Sequence, residues 1–145
     1  MSRVFPLTGE QHPAVDPGEV VWLSASAGTG KTQVLSARVL RLLLQDDVRP
    51  DQILCLTFTK AGATEMAARI NEVLASWVRA DAISLARDLQ AIGADFGPEA
   101  QDKARRLFAA VLDCPGGGLR IDTIHAFAQW LLSAFPSEAG LLPGV

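Results

Sequence analysis

Val20-Val21-Trp22-Leu23-Ser24-Ala25-Ser26-Ala27-Gly28-Thr29-Gly30-Lys31-Thr32-Gln33-Val34-Leu35 joins an apolar run, a glycine-rich turn and the opening of a helical pattern. Strand, turn and helix in that order are the context in which a glycine-rich turn binds phosphate. Gly28 and Gly30 let the backbone aim successive N–H groups inward. The N-terminus of the following helix adds partial positive charge. Lys31 reaches the β and γ phosphates as a mobile cation, and the Thr32 hydroxyl is the expected ligand of Mg²⁺. The predicted ATP-binding loop is therefore Ala25, Ser26, Ala27, Gly28, Thr29, Gly30, Lys31 and Thr32, with Lys31 and Thr32 acting on the reacting end. The full pattern asks for glycine first, and Ala25 stands there. The plainer reading is a turn without a ligand. At ordinary residue frequencies Gly-x-Gly-Lys-Thr/Ser arises by chance in roughly one chain of this length in a few hundred.

Outward from this loop, the spacing predicts a strand at Val20-Val21-Trp22-Leu23 and a helix from about Gly30 to Leu44, apolar on most faces and so well buried. The segment up to Gly18, polar and rich in Pro and Gly, reads as loop. Ile53-Leu54-Cys55-Leu56-Thr57-Phe58 is a second strand of parallel, buried type. Ala63, Met66, Ala67, Ile70, Val73, Leu74 and Trp77 have helical spacing. Two more helices are expected, over about Ala82 to Ile92 and Pro98 to Leu112. Leu119-Arg120-Ile121 is a candidate third strand. Thr123 can cap a last helix with Phe127, Trp130, Leu131 and Phe135 on one face. Alternating strands and helices give an α/β class with a parallel sheet.

The bulk numbers suit one domain. The chain has 145 residues, 49% of them hydrophobic and 20% charged. No stretch is long and apolar enough to span a bilayer, and Met1-Ser2-Arg3-Val4-Phe5-Pro6 lacks a signal peptide's apolar core. Cys55 and Cys114 make no zinc pattern and no disulfide framework, so a cytoplasmic, reduced protein is expected. A net charge of -3 argues against a free-standing nucleic-acid binder, which usually carries a basic excess.

A second cluster follows the second strand. Thr57-Phe58-Thr59-Lys60 places a ring, two hydroxyls and an ammonium at the carboxyl end of a parallel strand, the edge where α/β sheets bind ligands. Phe58 there can stack on a base while the hydroxyls hold phosphate. Without further context the better reading is structural, with Phe58 in the core and Thr59 a helix cap.

Four segments in order carry a resemblance to the UvrD/Rep-like superfamily 1 helicases. Thr8-Gly9-Glu10-Gln11 resembles the family's adenine-reading Q motif, and Ala25 to Thr32 its Walker A loop. Thr57-Phe58-Thr59-Lys60-Ala61 with Glu65-Met66 and Arg69-Ile70 resembles motif Ia, and Asp122-Thr123-Ile124-His125-Ala126-Phe127 motif Ib. The form Ser24-Ala25-Ser26-Ala27-Gly28-Thr29-Gly30-Lys31-Thr32, with Phe135-Pro136-Ser137-Glu138-Ala139, is most similar to the AddA/RecB branch of helicase–nucleases in double-strand-break repair. The resemblance implies a P-loop NTPase. It implies a partial RecA-like domain spanning 1–145, with a helical insertion at 81–115. It implies ATP and Mg²⁺ as cofactors, Gln11 on the adenine edge, and DNA contacts from Thr57, Phe58, Thr59, Lys60, Thr123 and His125. The partners it implies for the intact protein are single- or double-stranded DNA ends and an AddB-like nuclease subunit. Many members carry Arg after the Walker A threonine, against the base. Here the residue is Gln33, which puts stacking from that side in doubt.

An NTPase also needs an acidic pair after a strand. No Asp-Glu pair occurs in the chain, and no arginine finger is assignable. The chain thus reads as the N-terminal piece of a motor, expected not to hydrolyse ATP usefully or unwind DNA alone. The runner-up is a small stand-alone P-loop kinase or nucleotide-binding switch, with Asp122 on Mg²⁺ and Arg105-Arg106 in a lid.

Overall fold

The computed structural model describes residues 4, 7, 9, 11–23, 30–115 and 118–142. The elements are α1 (Gln11–Val15), α2 (Lys31–Leu43), β1 (Leu54–Thr57), α3 (Lys60–Arg79), α4 (Ala82–Ala91), α5 (Pro98–Asp113), β2 (Arg120–Thr123) and α6 (Ile124–Ala134), with one 3-10 turn at Pro50–Gln52 before β1. The two strands form a parallel sheet with Leu54 opposite Arg120, Cys55 opposite Ile121, Leu56 opposite Asp122 and Thr57 opposite Thr123. A parallel pair cannot be closed by a tight turn. The crossover here is the three helices α3, α4 and α5.

The helical spacing read from the chain is realised closely. α3 buries Met66, Ile70, Val73, Leu74 and Trp77 along one stripe. Trp77 is fully buried, and its indole N–H donates to Asp88 Oδ2 of α4 at 3.1 Å, so the ring's one polar atom is satisfied inside the core. α5 packs on α3 and closes the same core with Ala104, Leu107 and Val111. Arg105 of α5 donates to the carbonyls of Trp77 and Ala80, 3.3 and 2.6 Å, at the C-terminus of α3, where a cation meets the negative end of the helix dipole. Pro98 occupies the first turn of α5, where its missing N–H costs nothing.

Three expectations fail. The segment before Gly18 contains a helix, α1, whose Ala14 and Val15 are buried against α2. Burial of those two side chains and a clamp from α2 outweigh the loop-like composition: Arg38 donates to the carbonyls of Ala14 (2.9 Å), Asp16 (3.0 Å) and Glu19. Val20–Leu23 is not a strand. Among the described residues no segment pairs with it, and Val20 and Trp22 are almost fully exposed. An extended apolar run without a ladder partner leaves its N–H and C=O groups to water. β1 is not covered on both faces. Cys55 is buried against the helices while Leu54 and Leu56, on the other face, are about two-fifths exposed. α6 likewise buries none of its residues, although its apolar positions run as expected.

The chain re-enters the sheet through Gly118, which is buried and has φ +77°. A Cβ there would overlap the carbonyl oxygen of Val111 at the end of α5. Gly118→Ala should therefore destabilise the domain by about 1–3 kcal/mol, the scale of a forced left-handed residue. A urea midpoint equal to the parent's would contradict this account of the turn.

Candidate functional site

Two regions gather the residues singled out from the sequence. The first lies at the start of α2. Gly30 is the residue before the helix and holds φ 84°, ψ 21°, the left-handed region, and no side-chain hydrogen bond caps this end of α2. A helix start of that kind directs backbone donors at whatever anion sits before it. Lys31, the first helical residue, is exposed, and Thr32 is half-buried. Ala25, Ser26, Ala27, Gly28 and Thr29 lie outside the described residues, as do Thr8 and Glu10.

Gln11 opens α1, and α1 is held on α2 by the Arg38 clamp. Its side chain accordingly reaches the phosphate-loop end of α2. A Cβ placed on Gly30 would lie 3.5 Å from Gln11 Nε2 and 3.6 Å from Gln33 Oε1. Two primary amides thus converge on the glycine that ends the loop. A side chain at Gly30 would be in van der Waals contact with both amides and would sit on a backbone at φ +84° that L residues rarely adopt. Lys31 and the Thr32 hydroxyl, both in the first turn of α2, are side chains of the kinds that meet a phosphate and a divalent cation.

The second region is the carboxyl edge of the sheet. Thr57 and Thr123 are directly opposite in register, so the segments Thr57–Lys60 and Thr123–His125 leave the sheet side by side. Each strand passes into a helix through a threonine cap. The Thr59 hydroxyl accepts from Gly62 N–H at 3.0 Å at the start of α3, and the Thr123 hydroxyl accepts from Ala126 N–H at 3.1 Å at the start of α6. The Thr57 hydroxyl donates to the Thr59 carbonyl at 2.9 Å. The structural reading of this cluster is half right: Thr59 is a cap, but Phe58 is not core, being 88% exposed. Lys60 and His125 are exposed in the first turns of α3 and α6.

Beside this edge lies a group that sequence reading passed over. Arg120 donates from Nε to Asp122 Oδ2 at 2.7 Å, and its guanidinium lies 4.0 Å from the Trp130 ring centroid and 5.7 Å from that of Phe127. Phe127 and Trp130 are themselves stacked, 5.8 Å between centroids. Alternation along a strand puts residues 120 and 122 on one face, so the pair was legible from spacing. The aromatic partners were not, because they come from α6. Asp122, the fallback ligand for Mg²⁺ in the kinase reading, is thus committed to Arg120. Among the described residues no group of three or more His, Cys, Asp or Glu is placed to hold a metal ion by itself.

A glycine-led, uncapped start of α2, and a parallel strand edge with an exposed Phe58 and Lys60, define an α/β protein. The particular family follows from comparison. The model for the UvrD/REP helicase N-terminal domain matches residues 7–144, and the chain belongs to that family. It is 36% identical over 140 residues, 94% of its length, to the AddA subunit of the ATP-dependent helicase/nuclease of Pelotomaculum thermopropionicum. It is 36% identical over 130 residues, 88% of its length, to the protein of the same name from Latilactobacillus sakei. To that of Alkaliphilus metalliredigens it is 45% identical over 64 residues, 43% of its length. The chain spans only 9%, 12% and 5% of those relatives, respectively. Family membership carries the P-loop NTPase class with it; no helix among the described residues is long and apolar enough to cross a membrane.

The two roles of the strand edge separate by substitution. Thr59→Ala removes a helix cap and should cost about 1 kcal/mol of stability. Phe58→Ala should change stability by less than about 0.5 kcal/mol, as expected for an exposed side chain outside the core. Denaturant titrations of the two variants check this, and a large loss in Phe58→Ala would place the ring in a contact the structure does not show.

Proposed function

We propose that these 145 residues are the ATP-binding portion of an ATP-dependent DNA helicase–nuclease acting in double-strand-break repair and recombination. They form the N-terminal part of its first RecA-like domain, with 81–115 as a helical insertion. The observation that carries the reading is the convergence of Gln11 with the uncapped, glycine-led start of α2. The Gln11 amide lies beside the helix start that, in this reading, meets the phosphates. The family match and the similarity to AddA proteins support the motor assignment.

In this reading ATP lies with its phosphates over residues 25–32 and Lys31 neutralises the β and γ oxygens. Thr32 supplies one ligand to Mg²⁺, and the ion's chemistry is to offset charge on the transferring phosphoryl group. Gln11 hydrogen-bonds the adenine edge. Phe58 stacks on a base of single-stranded DNA, while Lys60 and the first turns of α3 and α6, with Thr57, Thr59, Thr123 and His125, approach its backbone. The chain has no Asp-Glu pair, so no residue in it is assigned to activate the attacking water. Hydrolysis and unwinding belong to the longer protein, whose partners are DNA ends and an AddB-like nuclease subunit. The kinase alternative loses ground to the Arg120–Asp122 pair, which occupies the carboxylate it needs.

Removing the charge at Lys31 leaves the terminal phosphates without their main cation. Lys31→Ala should weaken ATP binding by at least about 2 kcal/mol, the scale of a charged hydrogen bond. Unchanged affinity by titration calorimetry would remove the loop from nucleotide binding. Phe58→Ala, measured by anisotropy with labelled oligo-dT on the protein at its native length, should lose about 1–3 kcal/mol of single-strand affinity. No loss would take the ring out of the DNA path.

A further inference from the structure

α6 leaves the sheet edge without an anchor of its own in the core. It buries none of its residues, so no apolar interlock fixes its direction as the stripes of α3 and α5 fix theirs. What lies against it is a cation. The Arg120 guanidinium sits 4.0 Å from the Trp130 ring centroid and 5.7 Å from that of Phe127, and the two rings stack on each other at 5.8 Å. Phe127 and Trp130 are three residues apart and so share one face of α6. The guanidinium is itself held from the strand. Its Nε donates to Asp122 Oδ2 at 2.7 Å, on the face where Leu54 and Leu56, the register partners of Arg120 and Asp122, are about two-fifths exposed. Carboxylate, guanidinium and aromatic face make one chain of contacts from β2 to α6.

We infer that Arg120 is a positioning residue for the strand-end edge: by holding the Phe127–Trp130 face of α6 against β2, it sets the direction in which His125 meets single-stranded DNA. The inference rests on the DNA contacts proposed above and names the residue that orients one half of them. His125 is in the first turn of α6, two residues before Phe127. Two positions along a helix turn a side chain through about 200°. His125 and Phe127 therefore lie on different faces, and with the aromatic face turned to Arg120, His125 is exposed. The Thr123 hydroxyl caps the helix and fixes where α6 starts, but not how it is rolled about its axis. The roll is what Arg120 supplies, because a guanidinium lies flat on the negative face of an aromatic ring. The companion segment Thr57–Lys60 enters α3, which has its own buried stripe and does not depend on this contact. Arg120 thus acts on one half of the edge, which separates its role from general stability.

The test is binding of labelled oligo-dT by anisotropy, with ATP affinity and the urea midpoint measured beside it, on the protein at its native length. Arg120→Met removes the cation at similar length, and Trp130→Leu removes the ring. Each should weaken single-strand affinity about two- to fivefold, the worth of one cation–π contact at a half-exposed site, and leave ATP affinity unchanged. Arg120→Lys and Trp130→Phe keep a cation and a ring and should retain most of the affinity. The deciding readout is coupling. If Arg120 acts through the pose of His125, Arg120→Met should cost little in a His125→Ala background and its full factor in a Phe58→Ala background. A general loss of stability lowers affinity by the same factor in both backgrounds and cannot produce that difference. Equal losses in the two backgrounds, or no loss from Arg120→Met while His125→Ala binds weakly, overturn the positioning role and leave the DNA edge standing. Full affinity in both His125→Ala and Phe58→Ala overturns the DNA reading and this inference with it.

Discussion

The parallel pairing of β1 with β2 is the constraint on which the rest of the structure depends. Parallel strands must be joined by a crossover, and the crossover determines which helices exist, how long they are and where they pack. Here it is built from α3, α4 and α5 around Trp77, Leu85, Leu89 and Leu107, so the main helical core is a by-product of bringing residue 120 back beside residue 54. The register has a second consequence. With Thr57 opposite Thr123, both strands end at one level, and the two helix starts that follow present their first N–H groups and their exposed side chains to one edge.

The two candidate surfaces are made in different ways. The sheet edge is assembled by pairing, so its side chains come from segments far apart in the chain. The region at the start of α2 is assembled by clamping: the Arg38 guanidinium donates to the carbonyls of Ala14, Asp16 and Glu19, and thereby holds α1, with Gln11, against α2. A part-buried guanidinium on several carbonyls is a strong tether because charge-assisted hydrogen bonds exceed neutral ones. The cysteines take no part in either surface. Cys55 is buried in the sheet and burial pushes its thiol pKa up, which makes it an inert core residue.

Elsewhere electrostatics serves local structure. The Asp81 carboxylate accepts from Ser84 N–H at 2.7 Å and starts α4; the same contact holds its pKa below the ordinary value. That contribution is present at neutral pH and is lost as pH falls through the lowered pKa. Asp46 is lowered likewise, through its hydrogen bond and charge contact with Lys103, which also donates to the Gln45 carbonyl and so ties α5 to the end of α2. Both groups are fully exposed and solvent screens them, so the weight of stability remains with the apolar stripes of α2, α3 and α5.

The sequence by itself determined the helices α2 to α6, the threonine caps of α3 and α6, and the family. Helical periodicity over 60–79, Pro98 at a first turn, threonines before two apolar runs and an ordered set of motifs are local signals, and local signals survive without knowledge of the fold. The same holds for the α/β class. What only the tertiary structure decided was which apolar segments find partners. Val20–Leu23 has the composition of a strand and no ladder partner among the described residues; α1 has the composition of a loop and is a helix because Val15 is buried and Arg38 grips its end. β1 reads as a doubly covered strand and is covered on one face. Phe58, which reads as core until the family resemblance is added, faces solvent, while Gln33, an ordinary amide in the sequence, comes close to Gly30 as does an amide 22 positions away in the chain. The physical reason is common to all of these: periodicity reports which side of an element is apolar, but burial and side-chain convergence depend on what packs there, and that is settled by contacts between residues distant in sequence.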